Sequence, residues 1–319
     1  MSCDRCDSPA MYHMDYAGAH LCADHLRRSV EKRVRRRVRS DALIPDAATP
    51  DDPVTWVIGL SGGKDSAVLA HILSTTLRED PRVALHGVAL HEGIAGYRDE
   101  SVDAARTLAD RLDLPLTVRS YPEEFGLAMD DVAADEAAEM ASCAYCGVFR
   151  RDLLDRVADE LGADLLLTGH NLDDEAQTAM MNFLGGDVDQ MAKHYRASLA
   201  PLPDRPPMDA FVPRAKPLRD VPEREVALYA TSAALPAHIA ECPHASEAFR
   251  GEIQSMLFDL EERHPGTRQS IMAGYEAMAE ALATGTSFDP DDALRPCTVC
   301  GSMTTRETCR SCQLVEEVG

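Results

Sequence analysis

The sequence predicts an α/β fold: a doubly wound parallel sheet covered by helices on both faces, with a small metal-binding module at each end. Apolar segments of strand length alternate with helical segments through the middle of the chain, as expected for a parallel sheet buried on both faces. Paired cysteines lie near both termini at spacings typical of metal ligands. With 319 residues, 45% of them hydrophobic, the chain is long enough to bury a core.

The order of the elements follows from this alternation. Strands are predicted at Thr55–Leu60, Val83–Leu90, Leu116–Ser120, Asp164–Thr168 and Phe211–Pro217. Helices are predicted at Asp65–Leu77, Asp99–Leu112, Met129–Met140, Phe149–Leu161, Asp173–Leu184, Glu223–Ala234, Ala245–His264 and Arg268–Ala283. In such a sheet the ligand binds at the carboxyl ends of the strands, where the strand order reverses.

Four parts of the chain can be distinguished by composition. We predict a metal module at 1–26, a basic helix with a Pro- and Asp-rich linker at 27–53, the sheet domain at 54–284, and a second metal module at 285–319. Within the sheet domain, residues 185–210 are rich in Gly, Pro and Asp and predict a mobile loop. No stretch of about 18 apolar residues occurs, so we expect a cytoplasmic protein without a membrane span.

Charge is distributed unevenly. The net charge is −22, and lysine is rare, which indicates adaptation to a salty cytoplasm because salt screens the self-repulsion of an acidic surface. The segment 26–40 is the exception, with eight basic residues and one acidic residue, a local charge of +7. This segment predicts a phosphate-contacting helix. The alternative is a solvated helix, or one that pairs with the protein's own acids.

The ten cysteines fall into three groups. Two groups contain paired knuckles with two residues between ligands, a spacing that lets four ligands converge on one tetrahedral ion. We predict a structural Zn²⁺ ion in each, with disulfides or plain buried thiols as the alternatives. The first set is Cys3, Cys6, Cys22 and His25, and the second is Cys297, Cys300, Cys309 and Cys312.

The third group consists of Cys143, Cys146 and the distant Cys242. Three thiolates can hold a [4Fe–4S] cluster whose fourth iron stays open to a substrate. A redox pair with Cys242 as a bystander, or a third zinc site, fits the spacing equally well.

A phosphate loop is predicted where the first strand of the sheet meets a helix. Its residues are Ser61, Gly62, Gly63, Lys64, Asp65 and Ser66. Two glycines let the backbone approach a pyrophosphate, and the following helix offers free N–H groups and a positive dipole end. The spacing is not that of the Walker loop. The alternative is a glycine-rich turn without a ligand.

Two further segments contain candidate site residues. After the fourth strand, the sequence TGHNLDDEAQT contains Asp173 and Asp174, which are predicted to bind Mg²⁺ or to transfer protons rather than only to cap a helix. In CAYCGVFRR, we expect a helix to begin just after the cysteines and to direct Arg150 toward the nucleotide phosphates. A pair of surface arginines is the alternative.

Taken together, these motifs resemble the tRNA 2-thiouridine synthetases of the TtuA and NcsA type, within the TtcA-like group of PP-loop ATP pyrophosphatases. The resemblance covers nearly the whole chain, including KPLRDVPEREVALYA at 216–230. It implies that residues 61–66, with the backbone at Leu90 and Gly169, hold ATP, that Arg150 contacts phosphate, and that the three cysteines of the third group hold a [4Fe–4S] cluster. It also implies a catalytic aspartate at Asp174, with Asp173 as second choice. His91 departs from the family pattern, where an acid is expected.

The function implied by the resemblance is ATP-dependent replacement of a uridine 2-oxygen by sulfur in tRNA. The implied cofactors are ATP, Mg²⁺, the cluster and two Zn²⁺ ions. The implied partners are tRNA, a ubiquitin-like sulfur carrier with a C-terminal thiocarboxylate, and a second copy of the chain. We favour the wobble uridine over the T-loop uridine. The alternatives are a cluster-free PP-loop enzyme, such as a lysidine or NAD synthetase type, and a non-catalytic zinc-ribbon RNA-binding protein.

Overall fold

A five-stranded parallel sheet forms the centre of the computed structural model, which describes residues 1–136, 138–188, 190–191, 212–244, 249–285 and 295–318. The sheet strands are β3 (Val54–Gly59), β4 (Val83–His91), β5 (Leu116–Ser120), β6 (Leu165–Leu167) and β7 (Arg214–Ala215). They lie in the order β5-β4-β3-β6-β7. The sheet begins with β3, β4 and β5 are added on one side of it, and β6 and β7 are then added on the other. The strand order therefore reverses between β3 and β6, and the predicted doubly wound fold is confirmed.

Helices cover both faces of the sheet. Alternate residues of β3 point to opposite faces: Trp56 and Ile58 belong to one buried apolar cluster and Val57 to another. A third cluster joins the helices that begin at Leu172, Phe249 and Thr267. The helices are α1 (Ala23–Ser40), α2 (Lys64–Thr76), α3 (Tyr97–Leu112), α4 (Tyr121–Phe125), α5 (Met129–Ala134), α6 (Ser142–Glu160), α7 (Leu172–Leu184), α8 (Glu223–Ser232), α9 (Phe249–Arg263), α10 (Thr267–Gly285) and α11 (Arg310–Val318).

The terminal modules are small antiparallel hairpins, each next to a helix. At the amino end, β1 (Tyr12–Met14) pairs with β2 (Ala19–Leu21), and α1 follows directly, so that His25 lies in the first turn of the basic helix. At the carboxyl end, β8 (Arg295–Pro296) pairs with β9 (Met303–Thr304), and α11 packs against α6. Both modules are therefore attached to the core by a helix.

Two predicted helix boundaries are wrong. The helix predicted at Met129–Met140 ends at Ala134, where Asp135 adopts an extended backbone conformation. The helix predicted to begin at Phe149 begins at Ser142. Its buried positions recur at Tyr145, Phe149 and Leu153, a helical spacing that extends the helix back over Cys143 and Cys146.

The strand predicted at Phe211–Pro217 is shorter, with only Arg214–Ala215 in the sheet. The other predicted helices and strands agree with the structure to within about two residues at each described end. Some predicted segments lie partly outside the described residues. They are most of the loop at 185–210, the beginnings of the helix at 245–264 and of the strand at 211–217, and the first part of the second metal module, at 286–294. The proposed domain boundaries stay predictions. No helix among the described residues is long and apolar enough to cross a membrane.

Candidate active site at the sheet edge

The loop between β3 and α2 has the shape of a phosphate cradle. Gly62 has φ +80°, and a Cβ at this position would lie 1.9 Å from the carbonyl oxygen of Ser101, so only glycine fits. The Ser61 and Ser66 hydroxyls lie 3.1 Å apart, and Ser66 also donates to the Gly63 carbonyl. These contacts hold the loop in place before any ligand binds, and the first N–H groups of α2 have no helical partner.

The segment after β6 packs directly onto this loop. A Cβ on Gly169 would lie 2.8 Å from the backbone nitrogen of Ser66, so the lack of a side chain is what permits the approach. The Asn171 amide donates to the Asp65 carboxylate at 3.0 Å. The two motifs that the sequence placed on separate strands thus meet where the strand order reverses.

Lys64 is the cation of the loop. Its Nζ lies 3.0 Å from a carboxylate oxygen of Asp65 and 2.8 Å from one of Glu223, at the start of α8. Burial lowers the pKa of Lys64, but the two carboxylates outweigh it and hold this pKa above its ordinary value. The ammonium group is therefore charged and could exchange these carboxylates for nucleotide phosphates.

The two candidate aspartates have different surroundings. Asp173 is buried, and its oxygens are occupied by the backbone N–H of Glu223 at 2.8 Å and by Arg268 at 3.1 Å. Asp174 accepts one hydrogen bond through Oδ2, from the Asn171 N–H at 3.0 Å, and no described residue donates to its Oδ1. Burial raises the pKa of Asp174 to about 6, and the nearby Asp65 charge adds to the shift. Both Asp173 oxygens are thus engaged within the protein, whereas Asp174 keeps an oxygen available for a ligand.

The three cysteines of the third group come from two segments that meet beside α6. Cys143 and Cys146 lie one helical turn apart, and the Cys143 thiol lies 3.3 Å from the carbonyl oxygen of His244. That contact places Cys242, two residues earlier, at the same end of α6. Cys146 and Cys242 are half-buried and pack against the same apolar cluster. Desolvation raises the pKa of Cys146. A raised pKa disfavours the thiolate form that a free surface nucleophile requires.

The spacing of the ligand atoms differs between the metal sites. In each terminal module, four ligand atoms lie within 4.8 Å of one another, as tetrahedral coordination of one ion requires. Cys143, Cys146 and Cys242, all within the described part of the chain, form no group that tight. A four-iron cluster needs wider spacing because the cluster itself lies between its thiolates. The third site therefore fits a cluster better than a third zinc ion.

Hydrogen bonds within the terminal modules also suit metal binding. Backbone N–H groups point at the ligand sulfurs, as from Arg5 to Cys3 at 3.4 Å and from Cys309 to Cys297 at 3.2 Å, which stabilises thiolates. None of the ten cysteines, all of them in described residues, forms a disulfide.

A buried carboxylate connects the phosphate loop to the cysteine site. Glu92, directly after β4, is fully buried and forms ion pairs with Arg98 and with Arg150, the latter at 2.9 Å. Arg98 donates to the carbonyls of Ser61 at 3.2 Å and Leu90 at 2.7 Å. Arg150 in turn donates to the Cys146 sulfur at 3.3 Å.

In this network, three predicted residues have contacts that differ from those expected. Arg150, expected to face the nucleotide phosphates, is held by Glu92 beside Cys146. The Leu90 carbonyl, expected to hold the nucleotide, already accepts from Arg98. His91 bonds to Asp99 at 3.1 Å and accepts from the Gly93 N–H, so it shapes the turn that leads into α3.

Three residues of this site were not predicted from the sequence: Glu92, Arg98 and Glu223. Glu92 had a readable signal, since a charged residue directly after an apolar strand lies at the ligand-binding edge of a parallel sheet. Arg98 and Glu223 had none, because their partners are set by tertiary packing.

Comparison with known proteins agrees with this site. Residues 31–236 match the PP-loop domain family, and residues 2–27 match the N-terminal LIM domain of 2-thiouridine synthetase TtuA. The chain is 59% identical over 318 residues to the tRNA 2-thiolation protein NcsA of Haloferax volcanii, covering 100% of this chain and 99% of the relative. It is 34% identical to cytoplasmic tRNA 2-thiolation protein 1 of Caenorhabditis elegans, covering 98% of this chain and 79% of that protein.

A solved structure extends the agreement to three dimensions. The U34-tRNA thiolase NcsA from Methanococcus maripaludis, determined with its [4Fe–4S] cluster, superimposes with a TM-score of 0.81 at 32% identity, covering 100% of this chain and 97% of that one. Sequence and fold agree along the entire chain, and the predicted resemblance is confirmed. The chain therefore belongs to the PP-loop family of tRNA 2-thiolation proteins.

Proposed function

We propose that this protein uses ATP to replace the 2-oxygen of the wobble uridine of tRNA with sulfur. The observation that carries the proposal is the connection from the phosphate loop through Arg98, Glu92 and Arg150 to Cys146. An adenylating site and a thiol site thus lie side by side. The wobble uridine, U34, is preferred because the M. maripaludis relative is a U34-tRNA thiolase. Neither a cluster-free synthetase nor a non-catalytic zinc-ribbon protein fits relatives matched over the whole chain.

In the first step, residues 61–66 hold the β- and γ-phosphates of ATP through backbone N–H groups, the two serine hydroxyls and Lys64. The uridine 2-oxygen attacks the α-phosphate, and pyrophosphate leaves. Asp174, with its free Oδ1 at the edge of the loop, holds Mg²⁺ or accepts a proton at this stage. Donors placed around the phosphates stabilise the negative charge that develops on the leaving group.

In the second step, sulfur adds to C2 of the activated uridine, and AMP leaves with the original oxygen. The cluster held by Cys143, Cys146 and Cys242 would supply an iron without a protein ligand, a Lewis acid at the site of sulfur transfer. Arg150, 3.3 Å from the Cys146 sulfur, places a positive charge where anionic sulfur and AMP meet.

The remaining partners complete the proposal. Sulfur arrives on a ubiquitin-like carrier with a C-terminal thiocarboxylate, in the cytoplasm. Zn²⁺ in each terminal module keeps α1 and α11 fixed to the core. Two copies of the chain form a homodimer.

The test is reconstitution under anaerobic conditions. Protein loaded with its cluster is incubated with ATP, Mg²⁺, a sulfide source and unmodified tRNA, and nucleosides are analysed by mass spectrometry. We expect 2-thiouridine at position 34, with one AMP and one pyrophosphate formed per thiolation. AMP formation without thiolated nucleoside in cluster-loaded protein would contradict the proposal.

Asp174→Asn is expected to lower thiolation by roughly 100-fold or more, because the proton acceptor or Mg²⁺ ligand is lost. The same change should stabilise the ligand-free protein at neutral pH. The folded-state pKa of about 6 lies above the ordinary 3.8, so the native state binds this proton more tightly. The stabilisation from this group is complete below pH 4 and is lost as pH rises through 6.

Asparagine mimics the neutral carboxyl at every pH, so above pH 6 the variant should exceed the wild type by roughly 1–3 kcal/mol. Below pH 4 the difference should vanish. Urea unfolding as a function of pH, without ATP or Mg²⁺, measures this difference in the free energy of unfolding. The matched control is Asp173→Asn: burial also raises the pKa of Asp173, but the Glu223 N–H and Arg268 oppose the shift, so its gain in stability should be smaller than that of Asp174→Asn. Equal stability of Asp174→Asn and wild type at pH 8 would argue against the buried carboxylate.

A further inference from the structure

The basic helix α1 has two different faces. On the side turned to the protein, three arginines are committed to internal partners. Arg27 donates to the Ser232 carbonyl, Arg33 forms an ion pair with the fully buried Glu225, and Arg37 with Asp220 at 2.7 Å. Part of the local positive charge thus attaches α1 to α8, as the alternative interpretation of the sequence allowed.

Four other basic residues form a stripe on the opposite side, which we call the basic stripe: Arg28, Lys32, Arg35 and Arg39. All four side chains are exposed, and among the described residues none forms a hydrogen bond or ion pair with these side chains. Their spacing of four, three and four residues keeps them on one face of the helix. At 1.5 Å per residue the row spans about 16 Å. The whole chain has a net charge of −22, so a row of four exposed cations is an exception to its acidic composition.

The basic stripe leads toward the candidate active site. At its far end α1 lies beside the start of α8, where Arg37 contacts Asp220. Three residues later, Glu223 contacts Lys64 of the phosphate loop. The stripe therefore runs from the outer end of α8 to the edge of the sheet where ATP would bind.

A cavity opens at the other end of the stripe. Its volume is about 440 Å³, within the range of small-ligand sites. Its lining contains three arginines (Arg27, Arg28 and Arg111) and two carboxylates (Asp24 and Glu31). The first residue of the stripe thus also faces a recess in which cations outnumber acids.

We propose that the basic stripe is the track on which the RNA substrate lies, with Arg28, Lys32, Arg35 and Arg39 contacting its phosphates. A row of evenly spaced cations matches a polymer with one negative charge per residue, whereas a folded acidic protein presents its carboxylates in scattered positions. Arginine, three of the four residues, binds phosphate through two parallel hydrogen bonds. This inference rests on the proposed function, since it assumes an RNA substrate at the phosphate loop.

The test compares the double variant Lys32→Gln/Arg35→Gln with wild type. The matched control is Arg106→Gln/Arg263→Gln, which removes two exposed cations from α3 and α9. Affinity for unmodified tRNA is measured over a KCl series that starts at the lowest concentration preserving the fold. We expect the stripe variant to bind at least ~10-fold more weakly at low salt, with the slope of log affinity against log salt reduced by about 1.5. The control should match wild type, and ATP affinity should be unchanged in all three proteins.

The outcomes separate this inference from the function on which it rests. If wild type binds tRNA and the stripe variant binds equally well, the stripe is not the track, although the proposed function stands. If wild type itself binds no tRNA, the proposed function fails and the stripe assignment with it. If the variant binds tRNA normally but loses thiolation only when a carrier protein supplies the sulfur, the stripe contacts the carrier and the RNA assignment is wrong.

Discussion

Replacing Cys242 with alanine is expected to abolish 2-thiouridine formation while leaving folding and ATP binding intact. Cys242 is half-buried, and no described residue forms a hydrogen bond with its thiol. Loss of the sulfur therefore removes little packing and no hydrogen bond, and the cost in stability should stay near 1 kcal/mol. Thiolation should nevertheless be lost, because the two remaining thiolates, Cys143 and Cys146, cannot hold a four-iron cluster with one open iron. The expected loss of thiolation is at least ~1,000-fold.

The measurement needs three readouts on the same anaerobic preparation: the visible absorbance of the cluster, the affinity for ATP, and thiolated nucleoside. We expect the cluster absorbance and the thiolated nucleoside to disappear and the affinity for ATP to match wild type. Cys309→Ala is the contrasting control, because Cys309 is buried in the tight four-ligand group of the carboxyl-terminal module. It should release Zn²⁺ and lower thermal stability. Full thiolation by Cys242→Ala would rule out a cluster mechanism.

Some parts of the site were predictable because they are encoded by local sequence. Gly62 needs a positive φ and close approach to α3, and such a position restricts the sequence strongly enough to be recognised. The four-ligand groups are encoded by short spacings that a tight turn enforces. The alternation of strands and helices located the reversal of strand order between β3 and β6, and with it the site.

Other parts depend on tertiary contacts and could not be predicted. Cys143 and Cys146 were expected just before a helix, but the buried residues Tyr145 and Phe149 extend α6 over them. Arg150 was assigned to phosphate, yet it pairs with Glu92, which follows β4 and is distant in sequence. Of the eight basic residues on α1, the sequence alone could not separate those facing acids of α8 from those facing solvent, because that division depends on how the helix is rotated against the core.

Glu92→Gln is expected to destabilise the protein by roughly 3–5 kcal/mol and to weaken both halves of the site. Glu92 is fully buried, and Arg98 beside it is 5% exposed. A neutral amide of the same shape leaves the guanidinium of Arg98 buried without a counter-charge, which costs more than the ion pair itself contributes. Because Arg98 also holds the Ser61 and Leu90 carbonyls, its displacement should lower ATP affinity.

Glu124→Gln is the matched control. Glu124 also pairs with two arginines, Arg119 at 3.4 Å and Arg156 at 3.3 Å, but its side chain is 24% exposed, so its loss should cost about 1 kcal/mol or less. Urea unfolding gives the free energies, and ATP titration of the cluster-free protein gives a second readout that does not depend on the loaded enzyme. Adding Arg98→Met to Glu92→Gln should restore stability but not ATP affinity, because methionine removes the unpaired charge without replacing its bonds to the loop. Restoration of both properties would mean that Arg98 balances charge only and does not position the phosphate loop.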